Sequence, residues 1–514
     1  MGMVLNTNIP SIQAQRALGE SRKEMEIAME RLSTGSRINS AGDDAAGLAI
    51  VERMNTQIRG LAQATRNAND GIALIKTVEN ALVEVSGMLQ RMRELGVQAA
   101  NDTNTATERA FANNELTSLQ AEISRVSLNT RYNGAQVLNG SFSAKSLQVG
   151  TEAGETLSFS IGNIESSKLG AFIVDGIADG AVASSSTGVN QGNAIAANQG
   201  FSITASSATR AIGAVAKDSA KAIATKVNAV AAATQVVASA STYAWLSTDT
   251  ITPANGANGG INARLKILGP DRTTYVETAA FTLSSSDVSD AVQKINAISS
   301  TTGVQASSTG NYKILLTDKD GDDIVVFNSS TRTDLDIQAV ANDSLTAAGS
   351  ELTFGAAGAG TDGANIRGNL KLSSNNDFTL VQANGGAAAS GAAYFDGDGT
   401  ASTTTSAPLV NVSQISVLTR ITASNALAII DGAIETISSM RGSLGTLQNR
   451  LDYTVSNLMK VTEFTTAARS RIADADFAAE TARLAKAQVL QQAGASMLSQ
   501  ANASTDTVMQ LLRG

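Results

Sequence analysis

Ile430, Ile437, Leu444, Leu451 and Leu458 recur seven residues apart in a stretch without proline. A sevenfold apolar repeat returns one side chain to the same helical seam every two turns, and such a seam must be covered by another helix. The N-terminal third has a counterpart, with Met54, Ile58, Leu61, Thr65, Ala68, Ile72 and Ile75 in steps of four and three. It resumes as Val78, Leu82, Val85, Leu89 and Met92 after a skipped beat, which predicts a local change in coiling. A shorter seam runs Ala14, Leu18, Ser21, Met25, Ala28 and Leu32. Both ends therefore read as long helices seeking partners. That pattern points to an assembly protein rather than an enzyme.

Composition narrows the alternatives. The 514 residues suffice for two to four domains, and with aromatics at only 4% the core must rest on aliphatic residues and alanine. A net charge of −8 and a pI near 4.9 argue against nucleic-acid binding, which needs clustered Lys and Arg. No apolar run approaches the length of a membrane span, so no membrane insertion is expected. The opening MGMVLNTNIPSIQAQRALG lacks a basic region followed by an apolar block, so no cleavable secretory signal is expected. Cysteine and histidine are both absent. Disulfides, Cys/His zinc sites and Ser-His-Asp or HExxH chemistry are thereby excluded, while carboxylate or lysine chemistry is not. No cofactor and no metal are expected.

Three stretches differ in character. Residues 1–140 are helix-like, interrupted by the turn formers of 34–44, where Asp43 and Asp44 suit the start of a second helix over about 45–100. A third helix is predicted over about 107–129, after the turn-like Asn101-Asp102-Thr103-Asn104. The period then changes to two, with Leu147 and Val149, then Leu157, Phe159 and Ile161, flanking a Gly-bounded turn, which predicts a β-hairpin. From about 165 to 410 the chain is rich in Ala, Ser, Thr and Gly, with strand-like runs at 312–317, 323–327 and 369–372. A weak repeat is visible there: Lys226-Val227-Asn228-Ala229 and Lys294-Ile295-Asn296-Ala297 each precede a strand-like run at the same distance. We read two small helix-plus-strand units. Helical character returns near Val417.

The motifs that close the argument are RLSTGSRINSAGDDAAGLAI at 31–50, LQRMRELGVQAANDTN at 89–104, YNG…VLNG at 132–140, SRIADADFAAETARLAKAQVLQQAGASMLSQAN at 470–502 and a terminal LLRG. In these the chain closely resembles bacterial flagellin, over about 165 N-terminal and 100 C-terminal residues. The paired central units are similar to insert modules of some flagellins. The resemblance implies a mainly α fold with a β-containing insertion. Residues 1–43 and 471–514 would form an antiparallel coiled coil, and 44–165 with 411–470 a helical shell bearing the hairpin. Residues 166–410 would project outward, as α+β or β subdomains. The chain departs from the family in an additional Gly2-Met3 and in Glu, Arg or Met at several positions of 11–30.

What the resemblance implies for function is a structural subunit that polymerises, through its own copies, into an extracellular filament used as a propeller. Implied partners are an export apparatus, an export chaperone at the C-terminal helix, and filament-cap and hook-junction proteins. Candidate assembly residues are Leu18, Met25, Leu32, Phe477, Leu484, Leu490 and Met497, each of which could equally be simple core. Periodicity alone also leaves the longer seams open to an intramolecular bundle. The segment Gln90–Leu95 matches the stretch recognised by the flagellin-sensing Toll-like receptor of hosts, and Arg91, Leu95 and Glu115 carry over, although Arg and Glu on a helix are ordinarily a solvated face. Asp318–Asp323 superficially resembles a calcium loop, but its Asp-Gly reads better as a hairpin turn between 314–317 and 324–327. The acidic turn at 395–399 reads the same way. Rival readings are a hook–filament junction protein with related ends, a secreted adhesin binding through the middle, and an insert hydrolase, disfavoured by the missing His and Cys.

Overall fold

The computed structural model describes residues 7–513 except 102, 177–180, 185–199, 206–207, 216–217, 249–260, 271–273, 284–286, 310–312, 332–334, 343, 345, 361, 383–394 and 396–403, with the side chains of 261 and 504–513 also left aside. Its helices are α1 (Ile9–Thr34), α2 (Ala45–Ala99), α3 (Ala106–Asn129), α4 (Ala220–Ala229), α5 (Ala231–Thr234), α6 (Ser289–Asn296), α7 (Ser299–Thr302), α8 (Arg420–Ala473) and α9 (Phe477–Arg513). Two compact units result. One comprises Met1–Lys76, Ala144–Ser160 and Leu444–Gly514; the other Thr77–Ser143 and Ile161–Ser443.

In the first unit, the Asn8 side chain accepts from the Ser11 N–H, satisfying an orphan donor at the start of α1. Pro10 sits in its first turn, where a missing N–H costs nothing. Gly35 ends α1 in the left-handed conformation (φ 69°), donating to the Arg31 carbonyl. Asp44 caps α2 by accepting from the Gly47 N–H at 2.8 Å. Asp43 has a different task from the predicted one. It accepts from the Asn39 and Ser40 N–H groups, ties the 36–44 loop, and is held below the usual carboxylate range chiefly by the Ser40 N–H. The hairpin pairs Lys145–Gln148 with Thr156–Phe159, Leu147 opposite Leu157, as the period-two pattern predicts.

The expected skipped beat in α2 is absent. Buried positions run Leu61, Ala64, Ala68, Gly71 and Ile75 in the first unit, then Val78, Leu82, Val85, Leu89 and Met92 in the second, an unbroken alternation of three and four. Thr65 and Ile72 flank the seam instead of occupying it, and Ile58 is half-buried at its end. Gly71 holds the seam because its neighbours come too close for a side chain. A Cβ there would lie 2.6 Å from Leu147 Cδ1 and 3.3 Å from Leu451 Cδ1. On α8, Leu444, Leu451 and Leu458 in the first unit and Ile430 and Ile437 in the second are all buried, so that seam is as predicted.

The second unit begins as a helical bundle. Its core contains Leu82, Leu89, Met92, Leu116, Ile123, Ile430 and Ile437. Thr105 and Glu108 cap the start of α3 reciprocally. Buried Gln120 donates to the carbonyls of Val412 and Ile415, and Asn113 accepts from the Val417 N–H, so α3 anchors the 3-10 turn Val412–Gln414 and the segment that leads from it into α8. Arg93–Asp431 (2.6 Å) and Arg441–Glu79 (2.8 Å) link α2 to α8 at the surface.

The insertion is more β than the composition suggests. An eight-stranded sheet centres on Val236–Thr248, which pairs with Ile314–Asp318, Leu335–Val340 and Asn369–Ser374. A five-stranded sheet is built around Ile324–Asn328 and a four-stranded one around Phe378–Gln382 and Phe201–Ala205. Two cores follow, one around α6 with Phe281, Leu316, Val326 and Phe354, the other around α4 with Phe201, Val227, Leu372 and Phe378. The weak repeat is structural. Asn228 bridges the backbone of Ala238, donating to its carbonyl (2.9 Å) and accepting from its N–H (2.8 Å). Asn296 makes the same pair of bonds to Ala306, at 2.9 and 2.7 Å.

The predicted hairpin at Asp-Gly is overturned. Ile314–Asp318 belongs to the eight-stranded sheet and Ile324–Asn328 to the five-stranded one, and they do not pair. Both strands are buried at every position, so each needs a covered sheet on both faces, and the turn carries the chain from one sheet to the other. Gly321 (φ 80°) lies against Ala240, and its carbonyl accepts from the Lys221 N–H. Of the other acidic turn only Phe395, in the α4 core, is described.

Candidate assembly surface

α1 and α9 run antiparallel, with Asn8 bonding the Ala501 carbonyl, Leu18 over Gly494, and Arg31 bonding Glu480. The contact is narrow. The fully buried positions of α1 are Ser11, Ser21 and Ala28, small side chains that permit close approach but remove little apolar area from water. Glu480 is its buried polar centre, accepting at one oxygen from Arg31 (3.2 Å) and Arg483 (3.0 Å). At the same end of the helix pair, Arg37 closes α8 by donating Nε and Nη2 to the Ile472 carbonyl, while its N–H donates to the Ala473 carbonyl and the Ala475 N–H donates to the Gly35 carbonyl.

The candidate assembly residues divide into two sets. Leu18, Met25, Leu32 and Leu484 are half-buried between α1 and α9. Phe477, Leu490 and Met497 face outward, 64%, 43% and 65% exposed. They are joined on this unit by Ile9, Ile12, Met29, Val489 and, on α8, Tyr453, Met459 and Phe464. Sequence reasoning passed over Tyr453 and Phe464, whose signal was bulk at positions off the α8 seam. An open groove of about 1070 Å³ runs between α2 and α8, walled by Ala62, Val455, Met459 and Thr466. Scattered apolar residues are normal on a surface, whereas contiguous ones mark an interaction site.

In the second unit, Arg91 donates to Glu115 (2.8 Å) and to Glu94 (2.9 Å), and all three are exposed. Hydrogen bonding to Glu115, then to Glu94, raises the Arg91 pKa further above its ordinary value. Leu95 does not share that face: at 2% exposure it lies in the bundle core. At the Asp318–Asp323 turn, Lys221 of α4 bonds Asp320 and Asp322, and Asp318 accepts from the N–H groups of Asp320 and Gly321.

Comparison with known proteins agrees with this geometry. Residues 5–143 match the bacterial flagellin N-terminal helical region, and residues 427–512 the C-terminal helical region. The chain is 36% identical over 517 residues to the B-type flagellin of Pseudomonas aeruginosa, covering all of both chains. It is 32% identical over 541 residues to a flagellin of Salmonella muenchen and 30% over 515 to flagellin A of Vibrio anguillarum, again covering all of each. Flagellins are a structural, non-enzymatic family, and membership disfavours the junction, adhesin and hydrolase readings. Antiparallel terminal helices, exposed apolar side chains on the unit that carries them, and full-length likeness to these proteins lead to one conclusion: the chain belongs to the bacterial flagellins and is a structural subunit of the flagellar filament.

Proposed function

We propose that polymerisation is driven by the outward apolar side chains of the first unit, which bury themselves against sister copies. The observation that supports this is that Phe477, Val489, Leu490 and Met497 of α9, and Tyr453, Met459 and Phe464 of α8, are all exposed in the single chain. The groove beside Met459 suits a helix of a neighbouring copy. Head-to-tail contacts that never close a ring give an open helical tube. On this reading 1–43 with 471–514 form the inner layer, 44–165 with 411–470 the shell, and 166–410 the outward domain. Because α1 and α9 bury little on each other, their order in the free subunit is marginal, and they fold fully only as copies add. Such ends suit export as an unfolded chain, with a chaperone holding α9 until the cap and junction proteins are met.

Arg91 and Glu115 are the groups we propose a host receptor would contact on the free subunit, with Leu95 setting the helix spacing beneath them. Seeded polymerisation tests the main reading. Phe477→Ser with Met497→Ser should raise the critical concentration about tenfold or more, while the circular dichroism of the second unit stays unchanged. Filaments growing at the unaltered concentration would sink it.

A further inference from the structure

Packing alone does not fix how far α1 slides along α9. From Glu480 to Leu498 the buried and half-buried positions of α9 are Glu480, Leu484, Ala487, Gln491, Gly494 and Leu498, in steps of four and three. Those of α1 from Ser11 to Met25 keep the same rhythm: Ser11, Ala14, Leu18, Ser21 and Met25. Both seams therefore repeat every heptad, and each sets a row of larger side chains beside a row of small ones. Leu18 meets Gly494, and a slip of one heptad would bring it to Ala487 or Ala501 instead. A Cβ at Gly494 would lie 3.3 Å from Leu18 Cγ, a misfit the leucine can absorb. Asn8 bonds the Ala501 carbonyl, and a backbone acceptor is present in every register.

Glu480 breaks this degeneracy. Among the described residues it is the only charged side chain fully buried on either helix, and one of its oxygens accepts from Arg31 of α1 and Arg483 of α9. Seven residues before Arg31 stands Glu24, and seven after it Ile38, beyond the end of α1. A heptad slip would thus set Glu480 against a like charge in one direction and an aliphatic side chain in the other. Either leaves a buried carboxylate without its partner across the pair, which is costly. The native contact is itself no large source of stability. The second Glu480 oxygen and Arg31 Nε are buried without a hydrogen-bond partner, and apolar pairs often match such ion pairs. What the charge provides is discrimination between alignments, as one polar seam residue does in a coiled coil.

We propose that Glu480 sets the register of α1 against α9, by admitting only the alignment that brings Arg31 to it. The consequence for the filament rests on the assembly reading above. A heptad slip moves the helices about 10 Å past each other, misplacing Phe477 and Met497 relative to Ile12 and Met29 for a sister copy. Because the chain has no cysteine, introduced pairs report the alignment by disulfide cross-linking within one full-length chain. Ser11→Cys with Asn502→Cys, at side chains whose oxygens lie 3.0 Å apart, marks the native register. Ser11→Cys with Ala495→Cys marks the slip towards Glu24. With Glu480 in place the native pair should form about tenfold faster or more. Glu480→Arg should invert that preference, since the introduced guanidinium is repelled by Arg31 and attracted by Glu24. A residue that only strengthened the pair would slow the native cross-link without favouring the displaced one. Glu480→Leu, which keeps the seam apolar, should bring the two rates to within about threefold, and it decides the matter if Glu480→Arg loses both cross-links. The proposal is overturned if the native pair dominates in either variant as it does in the parent, or if Glu480→Leu forms neither cross-link. Cross-linking is scored whether or not filaments grow, so its failure is separate from a failure of the Phe477 and Met497 test.

Discussion

Two asparagines, Asn228 and Asn296, each close a helix-to-strand turn by bonding both backbone groups of an alanine ten residues on. Replacing either with alanine strands an N–H and a carbonyl, and each change should cost about 1–3 kcal/mol in chemical denaturation. The two lie in different cores, so the double variant should show nearly the sum. Asp318 gives a pH signature. Burial is the largest influence on it and holds its pKa above the ordinary value. An acid whose folded pKa is raised stabilises the fold less as pH climbs from the unfolded pKa through the folded one. Asp318→Asn, which keeps an acceptor for the Asp320 and Gly321 N–H groups, should therefore melt higher than the parent at neutral pH. That gap should close in acid, below both pKa values, in a thermal-melt series. A gap that widens in acid would contradict this assignment.

Among the elements, the α2 seam shows how packing departs from an apolar tally. Thr65 and Ile72 have the bulk that a periodicity search favours, yet Ala64 is buried with Leu61 and Leu458, and Gly71 takes its buried position because Leu147 and Leu451 fill the space beside it. Gly71→Val should therefore cost about 1–3 kcal/mol through overpacking, measurable by urea denaturation. Leu451→Ala at the same contact should cost about 2–5 kcal/mol through the cavity it leaves. The α8 heptads and the 145–159 hairpin were legible because one period governed each without interruption. The Asp318–Asp323 turn was not, because Asp-Gly between two strands has the same local sequence whether the strands pair or join different sheets. Pairing partners such as Gly363–Ile366 lie far off in the chain, where no local pattern points. The outward face of α9 was half legible: Phe477 and Met497 stood out by size, but their exposure depends on how small residues let α1 approach.

At the scale of the whole molecule, the sequence motifs that carry the family likeness lie at the two ends, whereas most of the β structure lies between them. On the proposed assembly, the ends must satisfy their own chain and its neighbours, which restricts each position. The middle must only close its own cores. Within it, the 13-residue strand Val236–Thr248 supplies Val236 and Ala238 to one core, and Ala244 and Leu246 to the other. Neither core can come apart without removing a wall from its neighbour. Scanning calorimetry of the subunit should accordingly show the insertion melting in a single peak, and a proline at Ser241, mid-strand, should lower that whole peak instead of splitting it. With 166–410 outward as proposed, a continuous beam shared between two rooms lets that domain bear the drag of a turning filament without parting where the rooms meet.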